Sequence, residues 1–129
     1  MPVLSHKVVR SSGTDVDITL TGVLYEKETL VEIIADPKVY GDCKFLKLTS
    51  LMHSVQEGLT LLLFWEGEDN QHALILPIEG RGVLDFGKFG GLENPKNEKT
   101  TSRMLLKAVR FRDGDKHFTL SLEFSKQRA

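Results

Sequence analysis

A strict alternation of apolar and polar residues is the feature that most constrains how this chain can fold. It is clearest near the C-terminus, where the apolar positions are Phe118, Leu120, Leu122 and Phe124 and the polar positions between them are His117, Thr119, Ser121 and Glu123. Successive side chains of a β-strand point to opposite sides, so this period of two predicts a strand buried on one side. The same alternation at Val16, Ile18 and Leu20 predicts a second strand of this kind.

Further apolar segments with strand character are separated by turn residues. They lie at 3–10, 27–35, 44–55, 59–65, 72–78, 81–86 and 103–111. About nine short strands in a chain of this length are typical of a β-sandwich or barrel. We therefore predict an all-β protein in which residues 1–129 form a single antiparallel β-sandwich of about eight to nine strands.

Three segments carry more specific structural predictions. Leu59–Trp65 is apolar on both sides, so it is expected to be a central strand covered on both faces. Asp113–Gly114 is a tight-turn signal, and it predicts that 103–111 and 116–125 pair as a hairpin. Gly87–Ser102 is rich in Gly, Asn and Lys, and an irregular loop of that length in a small domain is usually functional or mobile.

Charge is balanced overall but uneven along the chain. The sequence carries 17 basic and 18 acidic side chains, so it offers no overall positive field to hold a nucleic acid. Residues 1–102 contain 10 basic and 15 acidic side chains, whereas residues 103–129 contain 7 and 3. Such a dipole suits docking to an acidic surface or head-to-tail contact between copies. A solvated strand face would have the same composition.

The sequence also bears on where the protein is made. Its one cysteine, Cys43, cannot form an internal disulfide, which fits production in the cytosol. The segment Met1–Lys7 lacks the basic-then-apolar layout of a signal peptide. No apolar run approaches the length of about 18 residues that crosses a bilayer. We therefore expect a soluble protein with no membrane partner.

Residue types that carry chemistry are present but are not grouped. The histidines have none of the short spacings of a metal site, and they are His6, His53, His72 and His117. The acidic loops at 66–70 and 113–115 lack the ligand spacing of a calcium loop, and turn formation accounts for their composition. Cys43 has no neighbouring histidine in sequence, and there is no G-x-S-x-G motif. We therefore expect no enzyme activity, metal, cofactor or small-molecule substrate.

A family resemblance begins at residues 76–95, LPIEGRGVLDFGKFGGLENP, where a G-x-G-x-x-D-F strand runs into F-G-G-L-x-N. With 12–22, the Leu62–Glu66 strand and the basic C-terminal region in the same order, this resembles small tailed-bacteriophage virion proteins of the capsid decoration or cement type. The resemblance spans nearly the whole chain. It weakens at 99–102, where this chain has Lys-Thr-Thr-Ser and those relatives have a Lys-Thr-Gly-Asp turn.

The resemblance implies a compact, jelly-roll-like β-sandwich that docks on the major capsid protein, typically as a homotrimer. The expected location is the capsid surface of a virion, with synthesis in the host cytoplasm. A tail, neck or baseplate position stays open. A non-catalytic carbohydrate-binding module is a further alternative, for which Trp65 and Tyr40 are the plausible aromatic platform.

The expected partner contacts lie in the N-terminal segment, the Gly-rich loop and the basic C-terminal region. In the latter two they are Lys88, Phe89, Asn94, Lys96, Arg103, Lys107, Arg110 and Arg112. Residues that alternate along a strand share a face. Lys107 is therefore expected on the side of Arg103, and Arg110 on the side of Arg112.

Overall fold

The chain forms a two-layer β-sandwich. The computed structural model describes residues 3–25, 30–41, 43–93, 100–111 and 114–127. Its strands are β1 (Val3–Ser11), β2 (Asp15–Leu24), β3 (Val31–Ala35), β4 (Phe45–Val55), β5 (Leu59–Gly67), β6 (Ala73–Ile78), β7 (Arg81–Asp85), β8 (Leu92–Glu93), β9 (Thr100–Phe111) and β10 (Lys116–Gln127). Short 3-10 turns lie at Pro37–Val39, Glu68–Asn70 and Gly87–Phe89.

The strand order is that of a jelly roll. One sheet runs β1-β2-β10-β4-β7, with β8 paired to β4, and the other runs β3-β9-β5-β6. All pairings are antiparallel. From β2 onward most connections cross from one sheet to the other, as in a double-sheet jelly roll. The all-β sandwich predicted from the sequence is confirmed. The strand beyond the predicted eight to nine is β8, a two-residue strand inside the expected loop.

The core fills the space between the sheets and follows the alternation of the sequence. On β10, Phe118 and Leu120 are 3% and 0% exposed, and Leu122 and Phe124 are 1% exposed each. They belong to one core cluster with side chains of the four-stranded sheet, which include Leu61, Leu63, Trp65, Met104 and Leu106. The predicted inward set of β10 is therefore confirmed.

The predicted hairpin at Asp113–Gly114 is wrong. β9 pairs with β3 and β5 in one sheet, whereas β10 pairs with β2 and β4 in the other. The chain therefore passes from one layer to the other between these two long strands. Each strand has an apolar inner face, and both faces are buried because the strands lie on opposite sides of the core.

Two further expectations are corrected in part. β5 is central, since it pairs with β6 and β9, but its outward side chains Leu62 and Phe64 remain partly exposed. The predicted long loop Gly87–Ser102 contains a 3-10 turn and β8, and its last three residues already belong to β9. Residues 94–99 of that loop lie outside the described residues.

Candidate docking face

The outer side of the four-stranded sheet carries two rows of mostly apolar side chains. Strand register places Val31, Lys107, Leu62 and Pro77 side by side across β3, β9, β5 and β6. The next row, two residues along each strand or three across the β6 bulge, consists of Ile33, Leu105, Phe64 and Leu74. We call these eight residues the apolar face. Seven of them are apolar, and Lys107 is the exception.

The apolar face is partly open to solvent. Val31 is 59% exposed at one edge of the sheet and Leu74 is 56% exposed at the other. Leu105, between them, is only 4% exposed because its neighbours surround it. Large apolar side chains exposed together on one surface are typical of interaction sites. The face is therefore the best candidate for contact with another protein.

Lys107 lies over the ring of Phe64 at the centre of this face. Its ammonium nitrogen is 5.5 Å from the ring centroid, within cation–π range. His72 meets the same ring edge-on, with 6.1 Å between the centroids. Among the residues that the structure describes, Lys107 has no carboxylate at ion-pair distance. The face thus presents one cation without a counter-charge.

The apolar face is bounded at one end by an internal ion pair. The Arg103 Nε donates to Glu66 Oε1 at 2.7 Å, and the Thr101 hydroxyl donates to the same oxygen at 2.7 Å. The Glu66 side chain is only 14% exposed, against 40% for Arg103. Removing Arg103 would leave a mostly buried carboxylate without its counter-ion. The positive charge of Arg103 is therefore neutralised by an intramolecular ion pair with Glu66.

The other end of the face is also closed by a side-chain contact. The Thr60 hydroxyl donates to Glu79 Oε1 at 2.6 Å, and Thr60 itself is 7% exposed. Two polar contacts therefore frame an apolar surface between them.

The structure brings together few of the partner contacts predicted from the sequence. Arg103 and Lys107 share the outer side of β9 as expected, since their partners Glu66 and Phe64 lie two residues apart on β5. Lys88 is exposed on the 3-10 turn at Gly87–Phe89. Asn94, Lys96 and Arg112 lie outside the described residues, and for Phe89 and Arg110 the structure describes the backbone alone.

Sequence reasoning missed the apolar members of the face. A signal for them existed, because β5 is apolar on both sides and β9 carries Leu105 and Leu106 in succession. A strand in a two-layer sandwich needs only one apolar side for the core. The second apolar side of two neighbouring strands therefore predicts an apolar outer surface.

The outer side of the larger sheet differs in composition. Neighbouring outward positions of β2 and β10 carry hydroxyls, at Thr19, Thr21, Thr119 and Ser121. The Thr19 and Ser121 hydroxyls lie 3.5 Å apart. Met52 and Val83 are exposed and form one cross-strand pair there, and the edge strands of the same sheet also expose Val8, Val9 and Leu84. This surface is mostly hydrogen-bonding, in contrast to the apolar face.

Two open clefts of about 420 and 400 Å³ flank the β4–β5 turn at one end of the sandwich. Glu79 lines the first and already accepts the Thr60 hydrogen bond. Arg81 and His117 line the second. Among the described residues there is no cluster of three or more His, Cys, Asp or Glu side chains that could hold a metal ion.

The aromatic residues considered for sugar binding are both in the core. Trp65 is 4% exposed and Tyr40 is 8% exposed. A sugar stacks on an accessible ring face, so these two residues do not form the aromatic platform that a carbohydrate-binding module would need. In the described part of the chain, no helix has the length and apolar character to cross a membrane.

Comparison with known proteins adds little. No family model matches the chain, and no curated protein matches it. A solved structure that does match is peruvianin-I, a cysteine peptidase from Thevetia peruviana latex, with 14% sequence identity and a TM-score of 0.40. The alignment covers 92% of this chain and 60% of that one, so this chain spans less than two thirds of the peptidase. A likeness at this level carries no argument about function.

Proposed function

We propose that this protein is a structural component of a tailed-phage virion, a capsid decoration or cement protein that binds and stabilises the lattice of the major capsid protein. In this proposal it acts as a homotrimer at the capsid surface and performs no catalysis. The single observation that supports the proposal on the structural side is the apolar face, a candidate binding surface on the outside of the four-stranded sheet.

The fold supports the proposal through the family resemblance. That resemblance implies a jelly-roll-like sandwich, and the chain has jelly-roll strand order. The segment that carries the resemblance most strongly, 76–95, begins at the end of β6 and continues through β7 to β8. β7 and β8 both pair with β4 in the larger sheet. The motif therefore has a structural role in closing one edge of that sheet.

The apolar face supports a binding role in a second way. It is built on four hydrogen-bonded strands, so its side chains are held in fixed register before any partner arrives. A preformed surface loses less conformational entropy on association than a flexible loop does. A protein that must bind many equivalent positions on a shell benefits from such preorganisation.

The proposal is tested by adding the purified protein to phage particles that were assembled without it. We expect saturable binding at a fixed number of copies per particle, with density for the protein on the outside of the capsid in images of the particles. Bound particles should also survive heating or osmotic shock better than bare ones.

The alternative positions give different results in the same experiment. Density at the neck, tail or baseplate would move the protein to that part of the virion. Absence of binding to any part of the particle, together with binding of a sugar measured by calorimetry, would favour the carbohydrate-binding alternative and overturn the proposal.

A further inference from the structure

We infer that the apolar face receives an apolar protein surface carrying one carboxylate, which meets the ammonium of Lys107. This inference rests on the proposed function for the identity of the partner, the major capsid protein. It goes beyond that function in naming the surface of this chain that docks and the chemistry that it recognises.

The two outer sides of the sandwich differ in composition. The apolar face has seven apolar residues among eight neighbouring positions, whereas the hydroxyl-bearing positions of β2 and β10 dominate the other side. A sheet side that faces water normally carries polar residues. The four-stranded sheet departs from this pattern over two complete rows, which is the composition of a surface that becomes covered.

Positive charge is unevenly available around the apolar face. Arg103 and Lys107 both lie on the outer side of β9, but Glu66 neutralises Arg103. Lys107 has only the ring of Phe64 beneath its ammonium. The described part of the face therefore offers an incoming partner one uncompensated positive charge, set among apolar side chains.

Covering the apolar face would desolvate Lys107. An apolar partner that covered this face would remove water from the Lys107 ammonium, and burying an unpaired charge is strongly unfavourable. A carboxylate on the partner, placed over Phe64, compensates for the lost water and makes the contact selective. A partner surface without an acidic group would bear the full cost of desolvating the Lys107 ammonium and would bind more weakly.

The test measures binding of variants to particles assembled without this protein. Val31→Asp and Leu74→Asp place a charge at exposed positions on the two edges of the face, and Lys107→Glu reverses the central charge. Each is expected to weaken binding by about tenfold or more. Lys107→Met keeps an apolar side chain over Phe64, and we expect it to bind more weakly with a smaller dependence on salt.

The matched control is Val83→Asp. Val83 is 63% exposed on the edge strand β7, close to the 59% of Val31 on the edge strand β3, but it lies on the other sheet. We expect this variant to bind as the wild type does. Melting temperatures of all free variants show whether each is folded, since exposed positions contribute little to stability.

The outcomes separate this inference from the proposed function. If wild-type protein does not bind the particles, both fall. If it binds and the three face variants bind equally well, this inference alone is overturned. If the face variants instead change the sedimentation of the free protein and leave particle binding intact, a second copy of the chain occupies the face, and the capsid does not.

Discussion

Gly22 shows how closely single side chains are fitted in this core. It pairs with Phe118 across β2 and β10, and a Cβ added at Gly22 would lie 2.4 Å from two carbon atoms of the Phe118 ring. Real Cβ atoms do not approach other atoms so closely, so the ring would have to move. The ring is 3% exposed and packed in the core, which leaves it little room.

We therefore expect Gly22→Ala to destabilise the protein by about 1–3 kcal/mol through overpacking. Thr21→Ala, at the neighbouring exposed position, should have little effect. In the double variant with Phe118→Leu, the added methyl group should reduce the free energy of unfolding less than it does in the wild-type background. Denaturant unfolding of the wild type, Gly22→Ala, Phe118→Leu and the double variant measures this coupling. Additive effects of the two changes would show that the Gly22–Phe118 contact is not the cause.

Tyr40 gives the protein a pH dependence in the alkaline range. Burial raises the pKa of its phenol to about 12 from the ordinary value of 10.0, opposed by a hydrogen bond from the Asp36 backbone and aided by the charges of Asp36 and Cys43. The folded state therefore binds this proton more tightly than the unfolded state does. The resulting stability is complete below pH 10 and is lost as the pH rises from 10 to 12.

The expected loss over that range is on the order of 2 kcal/mol, after allowance for solvent screening of the phenol. Other groups also titrate there, so the informative quantity is the difference in unfolding free energy between wild type and Tyr40→Phe. We expect that difference to shift in favour of Tyr40→Phe as the pH rises. A difference that stays constant from pH 9 to pH 12 would contradict the raised pKa.

At the scale of the element, alternation along β10 is the strongest determinant of folding. Leu120 is 0% exposed at the centre of the strand, whereas His117 is exposed on its outer side. Leu120→Asp places a carboxylate in the core at a cost of about 3–5 kcal/mol, which is a large part of the stability of a small domain. His117→Asp should change it by less than about 0.5 kcal/mol. Thermal melts that shift equally for both variants would contradict this assignment of faces.

Strand positions could be predicted from the sequence because they depend on local patterns. The alternation along β2 and β10, and the apolar character of β5, need no knowledge of neighbouring strands. Pairing between strands does need it, and there the prediction of a hairpin at Asp113–Gly114 was wrong. An Asp-Gly turn favours a sharp change of direction, but it does not decide whether the second strand joins the same sheet or the opposite one.

The same distinction explains what could be predicted of the candidate site. Alternation was enough to place Arg103 and Lys107 on one side of β9. The ion pair between Arg103 and Glu66 depends on the register of β9 against β5, which brings together residues 37 positions apart in sequence. The two rows of the apolar face likewise arise from the register of four strands in the order β3-β9-β5-β6. Of the neighbouring pairs in this sheet, only β5 and β6 are consecutive in the chain.

For the whole molecule, the topology divides the basic C-terminal region between two layers. Residues 103–129 carry 7 basic and 3 acidic side chains, and as a hairpin they would have formed one positive surface. In the jelly roll, Arg103 and Lys107 lie on the four-stranded sheet with β9, whereas Lys116 and Lys126 lie on the larger sheet with β10. Recognition of an acidic partner then depends on the position of each basic side chain on its sheet more than on the net charge of residues 103–129.

The size of the apolar face leads to a prediction about assembly. Two rows across four strands cover on the order of 300 Å², well below the roughly 800 Å² that each partner buries in a stable complex. One copy of the face would therefore bind weakly. A homotrimer that engages three equivalent sites at once converts the second and third contacts into intramolecular events, which can strengthen attachment by about 10² or more.

For the proposed homotrimer, we expect the free protein to sediment as a species of three times the 14.5 kDa chain mass at the concentrations that saturate particles. Dilution below the trimer's dissociation constant should release it from particles far more steeply than a single-site isotherm allows, because the multivalent advantage disappears when the trimer separates. Sedimentation velocity and particle binding measured over the same concentration series test both points. A chain that sediments as a monomer and still saturates particles tightly would mean that the contact is larger than the apolar face, with further residues of this chain taking part in docking.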